Sequence, residues 1–158
     1  MTPPEHDDRP HAASRRIAAS PQAIYDAFLD PVALARWMPP DGAAGRVEVL
    51  EPHDGGRLRL VLTFADAPGK SSADSDVVDA RFQRLEPGRL IVLAVQFASD
   101  LPEFAGTMIM SWSFSPTPEG SEVAVVAENV PVGIGRADHE AAIASTLANL
   151  AAFVEQAA

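Results

Sequence analysis

The stretch RADHEAAIASTLANLAAFVEQ, residues 136 to 156, decides the fold of this chain. It is the one long segment whose apolar residues recur at helical spacing, and they form a single stripe: Ile143, Leu147, Leu150 and Val154. A helix of this length measures roughly 30 Å, and a strand of about nine residues has the same length. The spacing therefore predicts a long C-terminal helix whose apolar stripe is covered by a curved sheet.

Two short helices are expected ahead of the main strands, because the signal for a helix start occurs twice in succession. Ser20-Pro21 and Asp30-Pro31 each place an N-cap side chain before a proline at the first helical position, where the missing N–H costs nothing. The first helix is expected over residues 21–29, and the second is expected to end near Trp37.

From Gly45 onward the apolar period changes from helical spacing to alternation, which is typical of half-buried strands. Turn signals such as Asp54-Gly55-Gly56 and Pro87-Gly88 separate the alternating segments. Residues 89–98 are apolar on both faces, so this strand is expected either at the centre of the sheet or beneath another element. Strands are expected over residues 12–18, 45–51, 57–64, 78–83, 89–98, 106–115 and 121–130.

This order of elements predicts an α+β protein. Tight turns make neighbouring strands antiparallel, so we expect a curved seven-stranded antiparallel sheet wrapped around the long C-terminal helix, with two short helices after strand 1. Residues 1–11 are polar and proline-rich and are expected to form a flexible arm. Residues 12–158 are expected to form a single domain, which is large enough to bury a core.

Composition excludes several classes of function. The formal net charge of −10 opposes binding to the phosphates of nucleic acid, which requires many Lys and Arg side chains. The absence of cysteine excludes thiol nucleophiles, disulfides and thiolate metal sites. No apolar run is long enough to span a membrane, and the N-terminal residues lack the pattern of a signal peptide. We therefore expect a cytoplasmic monomer or homodimer without a membrane partner.

Short motifs occur in a fixed order from about residue 15 to residue 155: Ser20-Pro21, Asp30-Pro31, Arg36-Trp37, Gly55-Gly56, Glu86-Pro87-Gly88, Gly106-Thr107-Met108 and His139-Glu140. In this order and spacing the chain resembles the activator of heat-shock-protein ATPase homologue-like family, within the START/polyketide-cyclase/birch-allergen superfamily. The resemblance implies a helix-grip fold with a cavity between the sheet and the long helix. It does not imply one activity, because members include lipid binders, cyclases and co-chaperones.

The chain departs from the family pattern at one place in the last helix. Many members carry a glycine and then a large residue, often tryptophan, three and four positions after the helix histidine, whereas this chain has Ala142 and Ile143. If Ile143 faces inward, its smaller side chain leaves more room in the cavity.

Large apolar residues on the expected inner surfaces are candidates for lining that cavity, although plain core packing is their commoner role. The loop over residues 99–105 and the segment 131–135 are expected to act as lids. Three residues are candidates for polar groups in the pocket: Gln96, Glu128 and His139. The apolar candidates are Trp37, Phe64, Phe82, Phe97, Phe104, Met108, Met110, Trp112, Ile143 and Leu147.

No catalytic residue, metal site or cofactor is assigned from the sequence, which contains no nucleotide-binding, nucleophile-elbow or zinc-protease motif. His139 has the pKa range of a general acid or base, but a histidine at a helix start is more often a capping or solvent-facing residue. Asp74, Asp76 and Asp79 do not have the spacing of a calcium loop, and a solvated strand end is the expectation for them.

Three functions remain open at this point. The first is binding of a small hydrophobic ligand between the sheet and the last helix. The second is a cyclase, dehydratase or hydrolase that uses the same pocket, with His139 or Glu128 as acid or base. The third is an interaction module that acts on a chaperone or another protein, as the family name suggests. An enzyme is the less favoured reading.

Overall fold

A computed structural model describes residues 9–39, 42–64 and 75–156, and within these ranges seven strands and three α-helices follow one another in the predicted order. They are β1 (His11–Ile17), α1 (Pro21–Phe28), α2 (Pro31–Trp37), β2 (Ala43–Leu50), β3 (Arg57–Phe64), β4 (Ser75–Glu86), β5 (Leu90–Phe97), β6 (Met108–Thr117), β7 (Gly120–Glu128) and α3 (Arg136–Gln156), with a 3-10 turn at Pro102–Phe104.

The strands form one antiparallel sheet in the order β1-β7-β6-β5-β4-β3-β2. The sheet curls into a half-barrel with α3 on its inner side, which confirms the predicted α+β helix-grip fold. β5 lies in the middle of the sheet, as its two apolar faces predicted. Because β1 pairs with β7, the first strand comes to lie beside α3, which packs along it.

Both cap signals form as predicted. The Ser20 hydroxyl accepts a hydrogen bond of 3.2 Å from the backbone N–H of Ala23 at the start of α1. The Asp30 carboxylate accepts hydrogen bonds from the N–H groups of Val32 and Ala33, at 2.9 and 3.2 Å, at the start of α2. These side chains satisfy N–H groups that have no partner within the helix, so each short helix begins at its proline.

The solid part of the core lies between α1, α2 and the second half of α3. An aromatic cluster of Phe28, Trp37 and Trp112 occupies its centre, with ring centroids 5.1 to 5.8 Å apart in edge-to-face arrangements. The Trp37 indole N–H donates a hydrogen bond of 3.0 Å to the carbonyl of Ala27. The buried residues of the second half of α3 are Thr146, Leu147, Leu150, Ala151 and Val154.

Most of the alanines of α3 do not face the interior. The alanines at positions 137, 141, 142, 144, 148, 151 and 152 of the sequence lead to the expectation that the helix does not fill the interior fully. In the structure Ala142 lies next to the interior space and Ala151 is packed in the core. The expectation is wrong for most of the others, because four of these alanines are exposed to solvent: Ala137, Ala141, Ala144 and Ala152.

Some boundaries differ from the sequence-based ones. β1 begins at His11, which is only 2% exposed, and Arg136 donates hydrogen bonds to the carbonyls of Arg9 and Pro10. Residues 1–8 of the predicted arm lie outside the described residues, and so do residues 65–74 between β3 and β4. No helix in the described ranges is long and apolar enough to cross a membrane.

Candidate functional site

A cavity of about 640 Å³ separates the first half of α3 from the inner face of the sheet. Its walls come from β3, β4, β5 and β6 on one side and from α3 residues such as Ala142 and Ile143 on the other. Met38, Phe104 and residues 133–135 also line it, and part of the cavity is open to solvent. Cavities of about 300–1,000 Å³ are the usual size for small-ligand sites, so this space is large enough to hold one.

Strand alternation explains why the walls are apolar. Side chains two residues apart on a strand point to the same face, so each strand sends every second residue into the cavity. These residues include Leu58, Leu60, Leu62 and Phe64 on β3, Val78 and Ala80 on β4, Leu93, Val95 and Phe97 on β5, and Met108, Met110 and Trp112 on β6.

Eight of the predicted pocket residues line the cavity and three lie in the solid core. Trp37 is 1% exposed and packs against Phe28, Phe82 is fully buried, and Leu147 is 1% exposed, one helical turn beyond Ile143. These three side chains are surrounded by other core residues and do not reach the empty space. The predicted residues that line it are Phe64, Phe97, Phe104, Met108, Met110, Trp112, His139 and Ile143.

Gln96 and Glu128 do not line this cavity. Gln96 lies between the inward residues Val95 and Phe97, so its side chain is on the outer face, where its amide donates a hydrogen bond of 2.9 Å to the Thr107 hydroxyl. Glu128 is exposed at the end of β7, next to the buried Ala127. Strand parity places both on the solvent side, and the expectation that they are pocket groups requires correction.

His139 lines the cavity and also joins α3 to the first strand. Its Nδ1 atom lies 2.8 Å from Nδ1 of His11, with the two ring centroids 5.0 Å apart. A hydrogen bond between these atoms requires that one ring carries the proton at Nδ1 and the other presents its lone pair there. The Glu140 carboxylate accepts a hydrogen bond of 2.8 Å from the N–H of Ala12 and ties the same two elements together. The histidine therefore has a structural role at this edge of the cavity.

Sequence reasoning missed Asp76, whose side chain lies in the cavity wall and is 1% exposed. We expected a solvated strand end there, and that expectation is wrong for this residue. The sequence carries a signal for this position, because Asp76 has the same strand parity as the apolar residues Val78 and Ala80, which also line the cavity. Asp79 has the opposite parity and forms ion pairs on the outer face.

Some of the remaining polar atoms of the cavity wall have hydrogen-bond partners in the described residues and one does not. The Thr146 hydroxyl donates a hydrogen bond of 3.1 Å to the carbonyl of Met38. The indole Nε1 of Trp112 is buried and has no hydrogen-bond partner among the described residues. Asp138 lines the cavity in the first turn of α3, beside His139.

The two predicted lid segments contact each other at the Phe104 end of the cavity. The N–H of Gly133 donates a hydrogen bond of 2.7 Å to the carbonyl of Glu103. A Cβ atom at Gly133 would lie 2.8 Å from the Phe104 ring and 2.9 Å from the Glu103 side chain, so the contact requires glycine. Gly133 and Phe104 both line the cavity, which fits the lid position predicted for these segments.

A second depression of about 810 Å³ lies on the outer face of the sheet. It is larger than the inner cavity, but polar residues line much of it, and their charged groups already have partners. Arg57 and Arg59 pair with Asp79 at 3.4 and 2.9 Å, and Arg81 donates a hydrogen bond to the carbonyl of Gly55. The inner cavity is therefore the stronger candidate for a ligand site. Within the described ranges, no three His, Asp or Glu residues are arranged to hold a metal ion.

Known proteins share this fold. The sequence model of a family described as Activator of Hsp90 ATPase homolog 1-like protein matches residues 18–155. A solved protein from Chromobacterium violaceum is 28% identical, with a TM-score of 0.82 over 93% of this chain and 97% of its own. The AHSA1-like protein from Aeromonas hydrophila is 18% identical, with a TM-score of 0.71 and 92% of each chain covered.

A protein from Rhodobacter sphaeroides is also 18% identical, with a TM-score of 0.78 over 96% of this chain and 95% of its own. At this identity the similarity shows a shared fold and no more. No functionally curated protein matches the chain. The residues of the cavity wall are therefore the evidence for what the cavity binds.

Proposed function

The chain belongs to the Activator of Hsp90 ATPase homolog 1-like family, and from that premise we propose that it binds a small apolar molecule between α3 and the sheet. The observation that supports this is the cavity of about 640 Å³ with an apolar wall. Protein interiors are normally packed as densely as organic crystals, whereas a cavity of this size leaves its apolar wall facing water, which is unfavourable. A ligand would displace that water and make van der Waals contacts with the wall.

The family pattern supports the same proposal. Ala142 and Ile143 stand where the family resemblance implies glycine and a large residue, and both line the cavity. Ile143 is 5% exposed and faces inward, so its short side chain leaves space that a tryptophan there would occupy. A ligand of this protein would therefore have room beside Ile143.

Native mass spectrometry of the protein purified from its own host tests the proposal. We expect a species heavier than the chain by the mass of one small molecule, which organic extraction releases. A protein that carries no ligand and whose interior is closed in an experimental structure would overturn the proposal.

An enzyme is a second candidate, because three ionisable residues line the same cavity: Asp76, Asp138 and His139. Convergence of such groups on one pocket is what acid–base catalysis requires. If the extracted molecule is a substrate, fresh protein should convert it to a product of different mass, and His139→Gln should slow the conversion while retaining binding. If fresh protein leaves the extracted molecule unchanged, the enzyme reading is wrong and binding remains the proposed function.

The chaperone-interaction reading stays a prediction. Among the described residues, the large apolar side chains that are most exposed are Val32, Leu101 and Val132. Single exposed apolar residues are common on monomeric proteins and do not by themselves mark an interface. Retrieval of a chaperone by the tagged protein, lost in a Leu101→Ser variant, would support this reading.

A further inference from the structure

The cavity opens to solvent at the start of α3, and acidic residues flank that opening. Among the lining residues, Gly133, Gly135 and Asp138 are exposed, so the mouth lies beside them. Glu103 is held at the same place, because its carbonyl accepts the Gly133 N–H at 2.7 Å. A Cβ atom at Gly133 would lie 2.9 Å from both Cβ and Cγ of Glu103, so the side-chain stem lies against the mouth as well.

A further carboxyl group lies in the interior of the cavity. Asp76 belongs to the wall and is only 1% exposed, on the same face of β4 as Val78 and Ala80. No Lys or Arg side chain occurs among the described residues of the wall. A negatively charged group of a ligand would therefore meet carboxyl groups at the mouth and in the interior, and no guanidinium or ammonium partner in the described wall.

The basic residue at the start of α3 does not compensate these charges. Arg136 is not a wall residue, and its guanidinium donates hydrogen bonds of 2.7 and 2.8 Å to the carbonyls of Arg9 and Pro10. It also pairs with Glu140 at 3.5 Å, so its charge is held beside β1. The N-terminus of a helix attracts anions, but the first turn of α3 already contains Asp138, whose charge offsets that attraction.

Charge should therefore separate ligands that share one apolar body. Two unit charges about 10 Å apart, at an effective dielectric constant of about 20, change an affinity by roughly ten-fold. We infer that the cavity selects by the sign of charge: it admits apolar molecules that are neutral or basic and rejects those that carry a carboxylate or phosphate. This inference rests on the proposed binding function and assigns the class of ligand. It also makes Asp138 a residue that determines specificity.

Three naphthalenes with one substituent at the same ring position test the inference: naphthylmethanol, naphthylmethylamine and naphthoate. They have the same number of carbon atoms and differ mainly in charge. Isothermal titration at about pH 8, where an ordinary histidine is neutral, keeps histidine charge out of the comparison. We expect wild-type protein to bind naphthoate about ten-fold more weakly than the alcohol, and to bind the amine at least as tightly as the alcohol.

The order of the three wild-type affinities does not depend on the folding of a variant. If naphthoate binds as well as the alcohol, the inferred ligand class is wrong while the binding function stands. If the amine binds as weakly as naphthoate, the cavity rejects any charge because of the cost of desolvation, and selection by sign is wrong. If none of the three perturbs the methyl resonances of Met110 and Ile143, both the inference and the proposed binding function fail.

A pair of variants separates the charge of the mouth from the charge of the whole protein. Asp138→Asn removes one carboxylate from the mouth, and Glu128→Gln removes the same charge at the exposed end of β7, outside the cavity. Because Asp138 is exposed and partly screened, Asp138→Asn should raise the affinity for naphthoate about three-fold, lower that for the amine about three-fold and leave the alcohol unchanged.

Glu128→Gln is the matched control and should leave all three affinities unchanged. Equal responses of the two variants would show that the formal net charge of −10, rather than the mouth, repels the anion. That result would overturn the role assigned to Asp138.

Discussion

A phenyl ring placed in the cavity should stabilise the free protein and remove its response to ligand. Ala142 and Ala144 lie two residues apart on α3, but Ala142 lines the cavity and Ala144 is exposed. Ala142→Phe therefore directs a ring toward empty apolar space, whereas Ala144→Phe directs the same ring into water. The lower helix propensity of phenylalanine, about 0.5 kcal/mol, affects both variants equally and cancels in their comparison.

The size of the effect follows from the burial of the ring. Full burial of a phenylalanine side chain contributes about 1.5–3 kcal/mol, and a partly filled cavity should return about 1–2 kcal/mol of this. For a domain of this length, 1 kcal/mol corresponds to about 2–4 °C in Tm. Ligand-free Ala142→Phe should thus melt about 2–8 °C above Ala144→Phe.

The stability gained on ligand binding should rank the two variants in the opposite order. At a free ligand concentration of 100 times Kd, binding to the native state adds about 2.7 kcal/mol of stability. The ligand released by organic extraction, used as the probe, should give this increase in the wild type and in Ala144→Phe, and little of it in Ala142→Phe, whose ring occupies the site. Urea unfolding with and without the probe measures both quantities. Destabilisation of ligand-free Ala142→Phe relative to Ala144→Phe would show that the space is not there and would refute the reasoning.

Three further predictions concern other parts of the site and the core. Gly133→Ala should speed dissociation of the extracted ligand several-fold in stopped-flow measurements, because the new methyl group displaces the Phe104 ring 2.8 Å away; an unchanged rate would exclude a lid role. His139→Ala should lower the free energy of unfolding by about 1 kcal/mol through loss of its bond to His11, and an unaltered urea midpoint would contradict this. Burial, aided by nearby carboxylates, raises the pKa of Tyr25 above 10.0, so the unfolded chain loses this proton first. Stability should be full below about pH 10 and fall as the pH rises beyond it, and Tyr25→Phe should flatten that fall; phenolate absorbance reports the single tyrosine directly.

The fold could be predicted from the sequence because its signals are local and repeated. The cap residues Ser20 and Asp30 fix the two short helices, and period-two alternation fixes which strand residues face inward. The same parity placed Met108, Met110 and Trp112 on the cavity side. Fold class and most of the apolar wall therefore follow from patterns that span a few residues each.

The boundary between cavity and core could not be predicted in the same way. Phe82 and Leu147 face inward as their periodicity requires, yet they meet other side chains rather than empty space. Whether an inward residue touches a void depends on the distance between α3 and each strand, which is set by packing across the whole domain. The contact between His139 and His11 could not be predicted from a local pattern either, because the two residues are 128 positions apart in the sequence.

Polar residues near strand ends were the least predictable group. Gln96 and Asp76 occupy opposite faces of the sheet, and only the parity of their own strands separates them. Composition favoured solvent for Asp76, since acidic residues are rarely buried. In the structure Asp76 is buried, as its position in the strand alternation indicates, although it is an acidic residue.

A crystal of the ligand-free protein pressurised with xenon tests the central claim most directly, because xenon enters dry apolar cavities and is located by its electron density. We expect xenon atoms between α3 and strands β3 to β6, in contact with residues such as Met110 and Ile143. Their absence, together with side chains that close the space between the helix and the sheet, would contradict it.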